Sequence, residues 1–124
     1  MEAFPNAPPG EPPEVHAATT REGVRACLRT VLRRLLEEER VPVTDIVLMG
    51  AHAAPSMGLD GLLDDIPGLR YFTYRKFKGL EAPVLILLDV SDADPLWDRA
   101  ARYTAISRAI HKLVILELRP KREL

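Results

Sequence analysis

The sequence predicts an α/β protein with a mostly parallel sheet, and two observations lead to this prediction. First, residues 46–49, 82–89 and 113–118 are apolar at nearly every position. Strands of this kind are covered on both faces, as they are in the parallel sheets of α/β proteins. Second, the predicted elements follow the order helix, strand, strand, strand, helix, strand, which is typical of helices packed on a parallel sheet.

The composition is that of a globular protein with one domain. The chain has 124 residues, of which 47% are hydrophobic and 28% are charged, and its net charge is -1. A net charge near zero predicts that any anion site is local. The single cysteine, Cys27, excludes an internal disulfide framework, and no segment has the length and apolar content of a membrane span. These features predict a cytoplasmic protein.

The first helix is predicted to follow a disordered leader. Prolines recur in residues 1–18 and apolar side chains are scarce there, which is typical of a disordered segment. Thr19 and Glu22 then form a candidate capping box. Arg25 and its neighbours at helical spacing are predicted to form a solvated face. The opposite, apolar face is predicted to comprise Val24, Cys27, Leu28, Val31, Leu32, Leu35 and Leu36.

The second helix is predicted over residues 95–110. Asp94 is a candidate N-cap, and Pro95 suits the first helical position because its missing N–H donor costs nothing there. The buried face of this helix is predicted to comprise Leu96, Ala100, Tyr103, Ile106 and Ile110.

Two segments lie outside the predicted helices and strands. Residues 51–68 are predicted to be connection and turn, and residues 120–124 are predicted to form a charged tail.

A basic turn precedes the long apolar strand at residues 82–89. It contains Lys78, Gly79 and Glu81. A glycine lets a ligand approach the backbone closely, and neighbouring cations indicate an anionic ligand. A solvated turn with ordinary surface charge accounts for the same residues.

Two segments resemble motifs of the UvrD/Rep-like superfamily 1 DNA helicases. Residues 73–84, TYRKFKGLEAPV, resemble motif V, and residues 103–109, YTAISRA, resemble motif VI. The motifs occur in the family's order, each beside a predicted strand, and the resemblance extends over about residues 24–118. It implies that residues 19–119 form the second RecA-like lobe of the motor, a partial three-layer α/β domain.

The resemblance implies a nucleotide cleft at four residues. Arg108 matches the motif VI arginine finger, which stabilises the charge that develops on a transferred phosphoryl group. Gly79 and Glu81 would line the same cleft, near the terminal phosphate and the ribose, and Lys78 would support the loop or the phosphates. Without the resemblance, Arg108 is explained as a helix-terminal arginine and Lys78 as a member of a structural ion pair.

The resemblance also implies a DNA contact at two residues. Thr73 matches a residue of the family that contacts a DNA phosphate. Arg75 stands where many members have histidine, and a guanidinium is well suited to a phosphate.

The sequence lacks the parts of a complete motor. It contains no phosphate loop of the type GxxxxGK(S/T) and no Asp-Glu pair at a strand end that would hold magnesium. ATP with magnesium is therefore expected only in a complex with a first lobe that carries the phosphate loop, and single-stranded DNA is expected to bind weakly to this lobe alone. The histidines and Cys27 show no metal-ligand spacing, so no metal site is predicted.

Three functions remain open from the sequence. The first is the second lobe, or a fragment, of a superfamily 1 helicase that acts in DNA repair. The second is a catalytically inert RecA-like remnant that acts as a binding module. The third is a receiver-like domain with Asp89 as phosphoacceptor, which is disfavoured because Asp89, Asp92 and Asp94 are explained as a strand end, a turn and a helix cap.

Overall fold

The computed structural model describes residues 12–77 and 80–120, except for the side chain of Asp60. Most of the predicted leader (residues 1–11), the predicted site residues Lys78 and Gly79, and residues 121–124 of the tail lie outside this part. In chain order the elements are β1 (Glu14–Ala18), α1 (Arg21–Arg33), β2 (Ile46–Gly50), α2 (Ala54–Met57), α3 (Asp60–Asp65), β3 (Arg70–Thr73), β4 (Ala82–Val90), α4 (Arg99–Ile106) and β5 (Ala109–Leu118).

Within the described residues, five parallel strands form one sheet in the order β1-β5-β4-β2-β3. The sheet lies between two apolar cores. One core joins the sheet to α1, α2 and α3, and Cys27 packs half-buried against it. The other core joins the sheet to α4 and to Phe77 of the turn before β4. The predicted α/β class with a parallel sheet is confirmed, and helices on both faces give the three layers that the resemblance implies.

The buried elements agree with their predictions. Strand β2 is buried at every position and β4 at all but one, as expected of central strands covered on both faces. Helix α1 forms where the apolar spacing predicts it and continues into a π-helical turn, Arg34–Glu38. Its N-cap is Thr20 rather than Thr19, because the Thr20 hydroxyl accepts a hydrogen bond of 3.0 Å from the N–H of Gly23.

The predicted leader is wrong for its last residues, because Glu14–Ala18 form β1 beside β5. The Glu14 carboxylate accepts a hydrogen bond of 2.6 Å from Arg34 and lies 2.6 Å from the His16 ring. Burial raises the pKa of Glu14, but these two hydrogen bonds outweigh it and leave the pKa below its ordinary value. The strand was missed because four of its five residues are polar or small and Val15 is its one large apolar residue. Residues 51–68, predicted as connection, contain the short helices α2 and α3.

The second predicted helix is wrong in its start, in its end, since α4 stops at Ile106, and in its buried face apart from Ile106, which is buried as predicted. Asp94 does cap a turn, since its carboxylate accepts from the N–H of Leu96 at 3.0 Å, but that turn is the short 3₁₀ helix Pro95–Trp97. Asp98 then caps α4 by accepting from the N–H of Ala101 at 2.8 Å. This second cap shifts the helical phase. The buried residues are Trp97, Ala101, Ala105 and Ile106, whereas Ala100, Tyr103 and Ile110 are exposed and Leu96 is half-buried.

Candidate functional site

Arg108 and Glu81 lie at the edge of the sheet where β4 and β5 begin, which we call the amino edge. Arg108 is in the turn between α4 and β5, and Glu81 directly precedes β4. The two strands pair at their first residues, Ala82 with Ala109. The N–H of Ala82 donates a hydrogen bond of 2.9 Å to the carbonyl of Arg108. The backbones that carry these two predicted site residues are therefore fixed to each other.

The Arg108 side chain keeps an unused hydrogen-bond donor. The residue is half-buried, and its Nε atom is buried without a hydrogen-bond partner among the described residues. A buried donor without a partner costs about 1–3 kcal/mol. Such a donor is common where a ligand or another chain completes the site. Lys78 and Gly79, which resemblance assigns to the same cleft, lie outside the described residues.

Thr73 and Arg75 lie near the opposite edge of the sheet, which we call the carboxyl edge. Thr73 is the last residue of β3 and pairs with Gly50, and the neighbouring Met49 pairs with Leu87 of β4. Leu87 is five residues, or about 17 Å along the strand, from the start of β4. The predicted DNA contacts and the predicted nucleotide contacts are therefore on different edges.

The turn after β3 presents two cations to solvent. Arg75 and Lys76 are exposed, and the Arg75 guanidinium lies 5.9 Å from the centre of the Tyr74 ring. The Thr73 hydroxyl accepts a hydrogen bond of 3.3 Å from the N–H of Lys76. This bond folds the turn back toward the end of β3.

Sequence reasoning missed a buried ion pair at the carboxyl edge. The predicted solvated position of Arg25 is wrong, because its Nη1 and Nη2 atoms donate to both carboxylate oxygens of Asp89 at 2.9 and 2.8 Å. The two side chains are only 13% and 9% exposed. Arg25 also donates from Nε and Nη2 to the carbonyl of Met57, at 2.9 and 2.6 Å. Both oxygens of Asp89 are thus bound, which argues further against a phosphoacceptor role.

The backbone around Asp89 is irregular. Asp89 has a positive φ of 57°, and the register between β4 and β5 shifts between Leu88 and Val90. Bulges of this kind redirect a side chain and are frequent next to functional sites. Here the bulge turns the Asp89 carboxylate toward α1.

The loop after β2 is held in place by two contacts. The Tyr71 hydroxyl donates to the carbonyl of His52, and burial, with a smaller effect of Asp89, raises the pKa of Tyr71 to about 12. The His52 ring in turn hydrogen bonds to Asp94 at 2.7 Å. His52 is thus a loop residue that is fixed by hydrogen bonds at both its ring and its carbonyl. These contacts connect the loop that follows β2 to the loop that follows β4.

A cleft of about 340 Å³ opens at this point of the carboxyl edge. Among the residues that line it are Arg21, His52, Asp89, Ser91, Asp94 and Leu118. Within residues 12–77 and 80–120, no group of three or more His, Cys, Asp or Glu side chains is placed to hold a metal ion. None of the helices in that part of the chain combines the length and the apolar content needed to cross a membrane.

Comparison with known proteins yields a structural match only. No protein-family model matches the chain, and no curated protein matches it. Among solved structures, the C-terminal domain of a possible DNA helicase from Lactobacillus plantarum WCFS1 matches with a TM-score of 0.68 and a sequence identity of 20%. The match covers 90% of this chain and 76% of that chain. At this identity the match shows that the two chains share a fold.

Proposed function

We propose that the chain is the second motor lobe of an ATP-dependent superfamily 1 DNA helicase that acts in DNA repair in the cytoplasm. The observation that carries the proposal is the pairing of Ala82 with Ala109, which places Arg108 beside Glu81 on one edge of the sheet. The fold shared with the C-terminal domain of a possible DNA helicase supports it.

The donors of the amino edge suit a nucleoside triphosphate. The Arg108 guanidinium supplies positive charge to a phosphate, and the exposed Glu81 carboxylate can accept from ribose hydroxyls. An arginine supplied across a cleft stabilises the charge that develops on the transferred phosphoryl group. Magnesium, held with ATP by a first lobe, would supply charge neutralisation of the phosphates. Arg108 then acts as the arginine finger.

The carboxyl edge suits the phosphates of single-stranded DNA. Thr73 offers a hydroxyl at the end of β3, and the exposed Arg75 offers a guanidinium. Because strands β2, β3 and β4 form one rigid layer between two cores, closure of a first lobe on the amino edge shifts the carboxyl edge as well. This coupling would convert ATP turnover into movement along DNA.

ATP turnover requires a first lobe, on the same polypeptide or on another one, because the 124 residues contain no phosphate loop. The test combines this chain with a phosphate-loop lobe encoded in the same genome and measures DNA-stimulated ATP hydrolysis. We expect Arg108→Ala to lower the rate by roughly a thousandfold or more. The matched control is Arg99→Ala, which removes an exposed arginine from α4, the helix that precedes Arg108, and leaves the rate unchanged.

An unchanged rate for Arg108→Ala would refute the arginine-finger assignment. No ATP hydrolysis with any such lobe, together with specific binding of another protein, would instead support the inert RecA-like remnant.

A further inference from the structure

The cleft at the carboxyl edge lies at a topological switch point of the sheet. Strands β2 and β4 are neighbours, but the chain leaves β2 toward α2 on one face and leaves β4 toward α4 on the other. In open parallel sheets, such a divergence opens a crevice outside the carboxyl ends of the strands, and ligands bind there. The hydrogen bond between His52 and Asp94 spans this crevice.

Among the described charged residues that line the cleft, Arg21 has the weakest ion pair. Asp89 is neutralised by Arg25, and Asp94 is bonded to His52. The side chain of Arg21 is 48% exposed, and its nearest carboxylate contact is 3.4 Å long, to an oxygen that Arg25 already binds at 2.8 Å. Nη1 of Arg21 donates to the carbonyl of Ser56 at 2.8 Å, which fixes one end of the guanidinium. Arg21 thus faces the cleft with positive charge that Asp89 offsets only weakly.

The cleft lies on the same edge of the sheet as Thr73. Strand β2 lies between β3 and β4, so the ends of β3 and β4 are two strand spacings apart, or about 10 Å. A chain of nucleotides that contacts Thr73 and crosses the end of β2 therefore reaches the cleft. The cleft volume is at the lower end of the range for small-ligand sites, which suits one nucleotide unit.

We infer that this cleft holds one nucleotide unit of a single-stranded nucleic acid, with Arg21 on its phosphate and with the Ser91 hydroxyl and the Asp94 carboxylate available to its sugar or base. The inference rests on the proposed function in that both assume a nucleic-acid ligand at the carboxyl edge. It adds Arg21, on α1, to contacts that otherwise come only from the turn after β3.

The test is the salt dependence of binding of the chain to a fluorescently labelled oligothymidylate, measured by anisotropy. When one phosphate contact is lost, the plot of the logarithm of the binding constant against the logarithm of the salt concentration becomes less steep by about 0.7. At about 0.1 M salt this change corresponds to a loss of roughly fivefold in affinity. We expect this change for Arg21→Ala and recovery of the slope for Arg21→Lys. Arg99→Ala removes the same charge from an exposed residue that does not line the cleft and should leave the slope unchanged.

A second variant tests the cleft at a residue other than Arg21. Ser91→Glu places a carboxylate in the cleft, where it repels a phosphate, and should weaken binding comparably. The inference would be overturned if Arg21→Ala kept the wild-type salt slope, or if Arg99→Ala changed the slope as much as Arg21→Ala. It would also be overturned if free thymidine monophosphate displaced the oligonucleotide at comparable concentration. These results leave the Arg108→Ala test of ATP hydrolysis untouched, so failure of the cleft and failure of the motor function are distinguishable.

Discussion

Replacing Asp89 with alanine tests the buried ion pair that sequence reasoning missed. Within the described residues, Asp89 is the carboxylate that holds the Arg25 guanidinium, whose side chain is only 13% exposed. Removing one member of a buried pair leaves an uncompensated charge and costs about 3–5 kcal/mol. Arg25 keeps its hydrogen bonds to the carbonyl of Met57, which lowers this cost. Alanine at a φ of 57° adds roughly 1 kcal/mol of backbone strain. We therefore expect Asp89→Ala to lower the free energy of unfolding by about 4 kcal/mol.

The assay is urea unfolding followed by circular dichroism. A loss of this size is a large part of the about 5–15 kcal/mol that stabilises an ordinary domain. Asp89→Asn should lose less stability than Asp89→Ala, because asparagine tolerates a positive φ and keeps an acceptor for Arg25. Asp64→Ala is the control, since Asp64 is exposed on α3 and a surface substitution of this kind changes stability by about 0.5 kcal/mol or less. Equal losses for Asp89→Ala and Asp64→Ala would refute the reasoning.

Three further variants probe the Tyr71 hydroxyl and two glycines. The pKa of Tyr71 is about 12 in the folded chain and 10.0 in its unperturbed form. The neutral Tyr71 side chain therefore contributes fully to the free energy of unfolding below pH 10, and this contribution is lost as the pH rises from 10 through 12. Tyr71→Phe should flatten this alkaline loss in unfolding measured against pH, and an unchanged slope would contradict the pKa shift. A Cβ at Gly50 would lie 2.9 Å from Cε of Met57 and against the Tyr71 hydroxyl, so Gly50→Ala should cost about 1–3 kcal/mol. Gly61→Ala, in open space on α3, should instead gain about 0.5–1 kcal/mol in the same unfolding assay.

Apolar content predicted the central strands because they are covered on both faces. Leu85, Ile86, Leu87 and Leu88 are fully buried, two facing each core, and a run of four such residues cannot belong to a surface segment. Strand β1 is at the edge of the sheet, with Val15 and Ala17 exposed. Apolar content therefore does not reveal β1, since an edge strand needs few apolar residues.

The ion pair could not be predicted from spacing. Arg25 and Asp89 are 64 residues apart, and helical periodicity places Arg25 on the face opposite the apolar stripe, which predicted contact with solvent. One signal was present in the sequence, because a carboxylate at the end of a fully buried strand requires a partner. Choosing Arg25 over the other arginines of α1 requires knowledge that α1 covers the end of β4.

The division of the predicted site residues between two edges follows from the parallel topology. In a unit of strand, helix and parallel strand, the residues before both strands lie on the same edge of the sheet. Arg108 precedes β5 and Glu81 precedes β4, so pairing of these neighbouring strands brings the two residues together whatever the length of α4. Thr73 belongs to the same motif-like segment as Glu81, but it ends β3 instead of preceding a strand. The turn between them must cross the sheet, and Phe77 packs on the α4 side as it does so. One continuous segment thereby serves both edges, which is the arrangement required to link a nucleotide site to a nucleic-acid site.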